Sequence, residues 1–206
     1  WYTVNEFVFD TITPESAYWI GFLMGDGCVS HRSLIVEIAA YDKSHLQAFC
    51  DFLEATHPIQ TVDPYRTSGA QVRFRVRSIR LVSALAFYGI VERKTGKETA
   101  PSTLLHNRHF WRGVIDADGS LGQRSIQAKR DAVLQLGCTS STLVKQFANF
   151  VRLRLPQCRA VAYAGKTTTM WHFMITGNYA RQILAYLFRN ASISLPRKLL
   201  RAQSLI

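Results

Sequence analysis

A chain of 206 residues with 48% hydrophobic content is long enough for one large or two small domains and buries a real core, which argues against disorder. Its formal charge of +11 points to an anionic partner, nucleic acid ahead of an anionic membrane surface. No apolar run approaches the roughly 18 residues of a membrane span, and no basic-then-apolar leader stands at the front, so neither a membrane association nor secretion is expected.

The charge is unevenly spread: residues 1–98 carry 10 Lys/Arg against 11 Asp/Glu, and residues 99–206 carry 15 against 3. Taken in chain order, the first element is a helix. Thr13 is its N-cap, Pro14 suits the first helical position, and the run ends near Gly25 in "AYWIGFLMGDGCVS" (Ala17–Ser30). Next, "LIVEIAAYDKSHLQAFCDFL" (Leu34–Leu53) reads as a strand, a polar turn and a helix. In "QVRFRVR", Val72, Phe74 and Val76 point inward while Gln71, Arg73, Arg75 and Arg77 point outward, and a further helix follows. Residues 91–106 read as a linker.

The same series then recurs. "HFWRGVIDADGS" (His109–Ser120) repeats the first helix and its acid-Gly ending. "AVLQLGCTSSTLVKQFANFV" (Ala132–Val151) aligns with Leu34–Leu53, matching Phe147 to Phe49. "WHFMITGNYARQILAYLFR" (Trp171–Arg189) matches Val72–Ile90, with Trp171, Phe173 and Ile175 inward and His172, Met174 and Thr176 outward. Each copy closes on an Arg-Lys pair, Arg93-Lys94 and Arg197-Lys198. The common order makes a duplication the economical reading, with halves at 1–98 and 99–206.

The two acid-bearing helices carry the chemistry. Gly21 and Gly25 share a helix face, as do Gly113 and Ala117, and small residues at that spacing let two backbones approach closely. If those faces meet, Asp26 and Asp118 emerge side by side at the helix C-termini, where both the dipole and each other's charge disfavour them. A divalent cation between them relieves both problems and activates a bound water. Gly27 and Gly119 suit a sharp turn into the next strand. Asp116-Ala117-Asp118 is not an EF-hand, because the glycine comes too early and Gln127 stands where the bidentate Glu belongs. Tyr18, Trp19, Phe22, Phe110 and Trp111 read as core, and "HNRH" (His106–His109) as incidental. Cys28, Cys50, Cys138 and Cys158 form no C-x-x-C pair and are expected to be free buried thiols in a reducing compartment.

"WIGFLMGDG" and above all "WRGVIDADG" resemble the two signature motifs of the LAGLIDADG homing endonucleases in their monomeric, double-motif form, and the resemblance covers nearly the whole chain. It implies an α+β fold of two pseudo-symmetric αββαββα halves, with the motif helices at the interface and the two sheets forming a saddle over duplex DNA. It implies a double-strand endonuclease that acts as a monomer, without an obligate protein partner, on a long, roughly asymmetric target. Mg2+, or Mn2+ or Ca2+ in the same place, would be held by Asp26 and Asp118 with the Gly25 and Ala117 carbonyls, and Lys94 and Lys198 would lie beside the scissile phosphates. Met24 replaces the first acid of motif one, at a position facing away from the cleft. The family's polar residue near the end of the second strand maps to Ala39 and Gly137, neither with a polar side chain.

On the outward rows Arg73, Arg75 and Arg77 are the main candidates for DNA contact, joined by Arg32, Arg124, Gln127, Lys129, Lys166 and His172. A non-cleaving DNA-binding regulator and an RNA maturase on the same frame are the alternatives. The chain begins at Trp1 and ends in "QSLI" without a His-Asn splice junction, as expected of a trimmed or excised segment rather than a complete intein. An intracellular location, wherever the target DNA resides, is expected.

Overall fold

The computed structural model describes residues 1–62, 69–126 and 129–206, and the side chains of these except residues 125, 126, 129 and 130. The first half runs α1 (Pro14–Asp26), β1 (Gly27–Ser30), β2 (Ser33–Ala39), a 3-10 turn (Ala40–Asp42), α2 (Lys43–Phe52), β3 (Gln60–Val62), β4 (Gln71–Arg77) and α3 (Ile79–Phe87). The second repeats it as α4 (Arg108–Asp118), β5 (Gly119–Ile126), β6 (Lys129–Cys138), α5 (Ser141–Arg154), β7 (Tyr163–Ala164), β8 (Trp171–Thr176) and α6 (Gly177–Phe188). An additional helix, α7 (Pro196–Leu205), begins on the second Arg-Lys pair. This is the α+β architecture of two αββαββα units that the repeat predicts.

Each half has one antiparallel four-stranded sheet, ordered β1-β2-β4-β3 and β5-β6-β8-β7. The period-two pattern sets which face is buried: Val72, Phe74 and Val76 turn into the core, and Arg75 and Arg77 are exposed. Helices cover the inner faces through equivalent aromatic contacts. Trp19 packs on Phe49 at 4.8 Å and Trp111 on Phe147 at 5.2 Å between ring centroids. Phe49 meets Phe74 edge-on, as Phe147 meets Phe173. Trp19, Phe22, Phe110 and Trp111 are buried, as is Tyr18, so the motif aromatics are core.

The duplication is not in uniform register. Gly27 pairs with Val36 in the first sheet, and Gly119 with Leu136 in the second. The strands therefore align Leu34 with Leu134, two residues away from the match read in the sequence, while α2 and α5 keep that match. The 3-10 turn Ala40–Asp42 absorbs the difference. In consequence Ala39 and Gly137 are not equivalent positions; Glu37 stands where Gly137 does. The thiol expectation also needs amending: Cys50, Cys138 and Cys158 are buried, but Cys28 is exposed on β1, because it lies on the outward phase of that strand.

Candidate active site at the paired helices

α1 and α4 start on strong caps. The Thr13 hydroxyl accepts from the Ser16 N–H while the Ser16 hydroxyl accepts from the Thr13 N–H, a reciprocal box; the Asn107 side chain accepts from the N–H groups of His109 and Phe110. The two helices then pack backbone to backbone. A Cβ added at Gly21 would lie 2.0 Å from the Phe110 carbonyl oxygen, and one at Gly113 would lie 2.1 Å from that of Tyr18. At the C-terminal end a Cβ at Gly25 would meet the Ala117 Cβ at 2.6 Å and an Asp118 carboxylate oxygen at 2.9 Å. The seam expected from the small-residue spacing is therefore present, and the Asp118 carboxylate lies directly against α1.

Gly27 and Gly119 follow the acids, but for a different reason than a left-handed turn. Both have extended backbone, with φ of −79° and −83°. What they supply is room: a Cβ would come within 2.6 Å of the Leu23 carbonyl oxygen or 2.5 Å of that of Ile115. Their own N–H groups donate to those same carbonyls and close the helices.

Asp26 and Asp118 are both partly buried at the helix C-termini. Burial and the nearby Asp118 carboxylate push Asp26 up to about 6, and burial raises Asp118 as well. Lys94 and Lys198 flank the pair and are themselves buried. The Lys94 Nζ donates to the Gly25 carbonyl at 3.0 Å. The Lys198 Nζ donates to the carbonyls of Asp116 (2.6 Å), Gly119 (2.7 Å) and Ile115 (2.8 Å), with Ala117 at 3.4 Å. Each ammonium thus satisfies a helix end and offsets its negative dipole. Burial lowers both, Lys198 to about 8. Arg93, at φ 54°, turns the chain immediately before Lys94.

Four polar residues beside this centre were not singled out by sequence reasoning. Glu37, Asp42 and Gln71 line a recess of about 250 Å3 with Asp26, Ala117 and Arg197. Asp42 is buried and accepts from the Arg197 Nε at 3.0 Å, tying α2 to the start of α7. Glu98 is buried, one of its carboxylate oxygens has no hydrogen-bond partner among the described residues, and it is the strongest anionic influence on Lys94. A second recess, of about 580 Å3, is lined by Gly25, Asp26, Cys28, His31, Arg93 and Lys94, so Asp26 forms part of the wall of both. Among the described residues no group of three or more His, Cys, Asp or Glu is disposed as a metal cage.

Asp116, the first acid of motif two, belongs to a different structure. It is buried, and a single carboxylate oxygen accepts from the Tyr18 hydroxyl, the Ser194 hydroxyl and the Leu195 N–H, each at 2.7 Å. The Tyr18 hydroxyl in turn lies 2.9 Å from His45 Nε2. Met24, its counterpart in motif one, is fully buried. The two sides of the interface are thus polar and apolar at equivalent points.

The remaining candidates lie on the sheets. Arg32 sits exposed in the β1–β2 turn and lines one recess with Arg75 and Arg77. Arg73 is held by Glu37, with its Nε at 2.7 Å. Arg124 is exposed on β5 opposite Asp131, Lys166 is exposed after β7, and His172 is half-buried on β8. Gln127 lies outside the described residues, as does the side chain of Lys129.

No family model matches the chain, and no curated protein matches it. Solved structures do match in shape. The LAGLIDADG homing endonuclease I-GzeII in complex with its DNA target superposes at a TM-score of 0.64 and 13% identity, covering 95% of this chain and 89% of that one. The meganuclease I-AabMI bound to uncleaved DNA gives 0.60 and 12%, covering 94% and 89%. I-SmaMI bound to its uncleaved DNA target in the presence of calcium ions gives 0.56 and 12%, covering 89% and 86%. The chain has the fold of the LAGLIDADG homing endonucleases, with both motif helices on one polypeptide.

Proposed function

We propose that the chain is a sequence-specific double-strand DNA endonuclease that works as a monomer and hydrolyses one phosphodiester on each strand beside Asp26 and Asp118. The observation that carries this reading is the seam itself: backbone contact between α1 and α4 brings two carboxylates together, both raised by burial and Asp26 also by Asp118, with a buried lysine at each side. The three solved structures named above are complexes with DNA, one of them with calcium ions.

The donor set fits a hard divalent cation, Mg2+ in the first place. Carboxylate oxygens and the Gly25 and Ala117 carbonyls are the ligand type such ions take, and the anionic crowding that raises Asp26 is what a cation relieves. When bound, the ion would polarise a phosphoryl oxygen and acidify a water. The chain's own groups do the rest. Asp26 and Asp118 hold the charge centre, Lys94 and Lys198 keep positive charge against a phosphate arriving there, and the nearby Glu98 carboxylate favours the charged form of Lys94. Gln71, in the recess beside Asp26 and Ala39, supplies the polar side chain that Ala39 lacks and orients water there.

The test is incubation of the protein with a randomised duplex library and Mg2+, followed by sequencing of cleaved ends. A defined set of duplexes cut on both strands, lost on chelation, is expected. Enrichment of bound but intact duplexes would instead identify a regulator.

A further inference from the structure

The two sheets present different chemistry on their outward faces. On β2 and β4 the outward cross-strand pairs are Glu37 with Arg73, Ile35 with Arg75 and Ser33 with Arg77. On β6 and β8 the equivalent pairs are Gly137 with His172, Gln135 with Met174 and Val133 with Thr176. Three guanidiniums in one sheet therefore face no cation at all in the described pairs of the other. This is the reverse of the overall charge, since residues 99–206 carry most of the excess Lys/Arg.

We infer that the two halves read opposite base compositions: the sheet β1–β4 reads a G·C-rich half-site, and the sheet β5–β8 reads an A·T-rich one. The inference rests on the DNA-cleaving reading above and names the substrate that reading leaves open. In the major groove guanine offers two acceptors that suit Arg, cytosine offers an amino donor that suits Glu, and thymine offers a methyl group that suits apolar side chains. Arg75 and Arg77 are exposed and form no ion pair among the described residues, and the Arg75 guanidinium is held only by a long 3.5 Å bond to the Ser33 hydroxyl, so both can turn to guanine. The Arg73–Glu37 pair, 2.7 Å apart, shows a donor and an acceptor side by side, complementary to the edges of one G·C pair. In the other sheet Val133 and Met174 hold half-buried apolar surface outward, with Gln135 between them and bonded to His172 at 3.2 Å. A glutamine suits adenine, and the apolar pair suits thymine methyls.

The strand geometry also orders the positions. Gly27 and Gly119 leave the acids, so the strand ends at Gln71 and His172 lie toward the cut and those at Arg77 and Thr176 lie away from it. Successive outward side chains are about 6.8 Å apart, the rise of about two base pairs. Arg73, Arg75 and Arg77 thus address G·C pairs at roughly alternate positions going outward. Arg124, opposite Asp131 at the far rim, and Lys166 address phosphates, where the basic surplus of this half adds affinity without sequence preference.

Selection of bound or cut duplexes from a randomised library, with Mg2+ and then with Ca2+, reads this directly. The expected consensus is G·C-rich on one side of the cut and A·T-rich on the other. Arg75→Ala should lower discrimination about 10-fold at a single G·C position, Met174→Ala should relax an A·T position on the opposite side, and Lys166→Ala should weaken binding without altering the consensus. A consensus equally G·C-rich on both sides, or an Arg75→Ala effect on the A·T side, overturns the inference and leaves the endonuclease reading intact. Failure to enrich any duplex removes both.

Discussion

At the scale of single residues, the two acids of motif two carry different tasks although only Ala117 separates them. Asp118 faces α1 at the helix end, while Asp116 collects three hydrogen bonds in the interior. Asp116→Asn should therefore destabilise the fold by about 2 to 3 kcal/mol, since three bonds to a carboxylate weaken to bonds to an amide oxygen and the buried amide N–H₂ takes the place of the oxygen without a partner among the described residues. The protein that remains folded should still cleave; chemical unfolding alongside a cleavage assay separates the two effects. That Asp116 turns away from the cleft is legible from helix geometry. Its partners are not, because Tyr18, Ser194 and Leu195 reach it from distant parts of the chain.

His45 gives a second residue-scale expectation. Burial lowers it to about 4 from an ordinary value of 6.5. The unfolded chain then binds a proton that the folded chain refuses, so this contribution to stability is complete above 6.5 and is lost as pH falls toward 4. Asp26, raised to about 6, acts in the opposite direction, stabilising as pH falls through its own window. The comparison that isolates His45 is thus the difference between wild type and His45→Gln: the wild type should lose up to about 1.4 kcal/mol per pH unit relative to the variant between pH 6.5 and 4. Parallel profiles would show that His45 protonates freely in the fold.

At the scale of elements, the seam depends on two glycines more than on any side-chain contact. Gly21→Ala places a methyl group 2.0 Å from a main-chain oxygen, which a rotamer change cannot relieve. A loss of about 3 kcal/mol or more is expected, read as a fall of roughly 10 °C in Tm. Gly122→Ala, where no atom of the described residues lies within 4 Å of the new methyl group, is the control and should change little. The helices, the strand alternation and the seam were legible because each follows a local period. The offset of β2 against β6 was not, because a 3-10 turn shifts the strand without leaving a mark in composition. That offset hid Glu37 and Gln71 from the site. The helix α7 was hidden in another way: the sequence reading closes the second copy on Arg197-Lys198, and that pair instead lies in the first turn of a helix.

At the scale of the whole molecule, pseudo-symmetry builds the acid pair and asymmetry surrounds it. One side of the interface holds the Asp116 network, the other Met24; one lysine has Glu98 for company, the other sits among four carbonyls. The strongly basic second half faces the first with little net charge, so association should weaken steeply with salt as counterions are released. Titrating binding against KCl concentration checks this, and a flat response would remove nucleic acid as the partner.

The most direct measurement is strand cleavage of a selected duplex by wild type and by Asp118→Asn, with binding to the same duplex followed in parallel. The loss of an acid that would hold the cation at the reacting phosphate lowers the rate by roughly three orders of magnitude or more and leaves affinity within a few-fold. Full cleavage by Asp118→Asn would contradict the account.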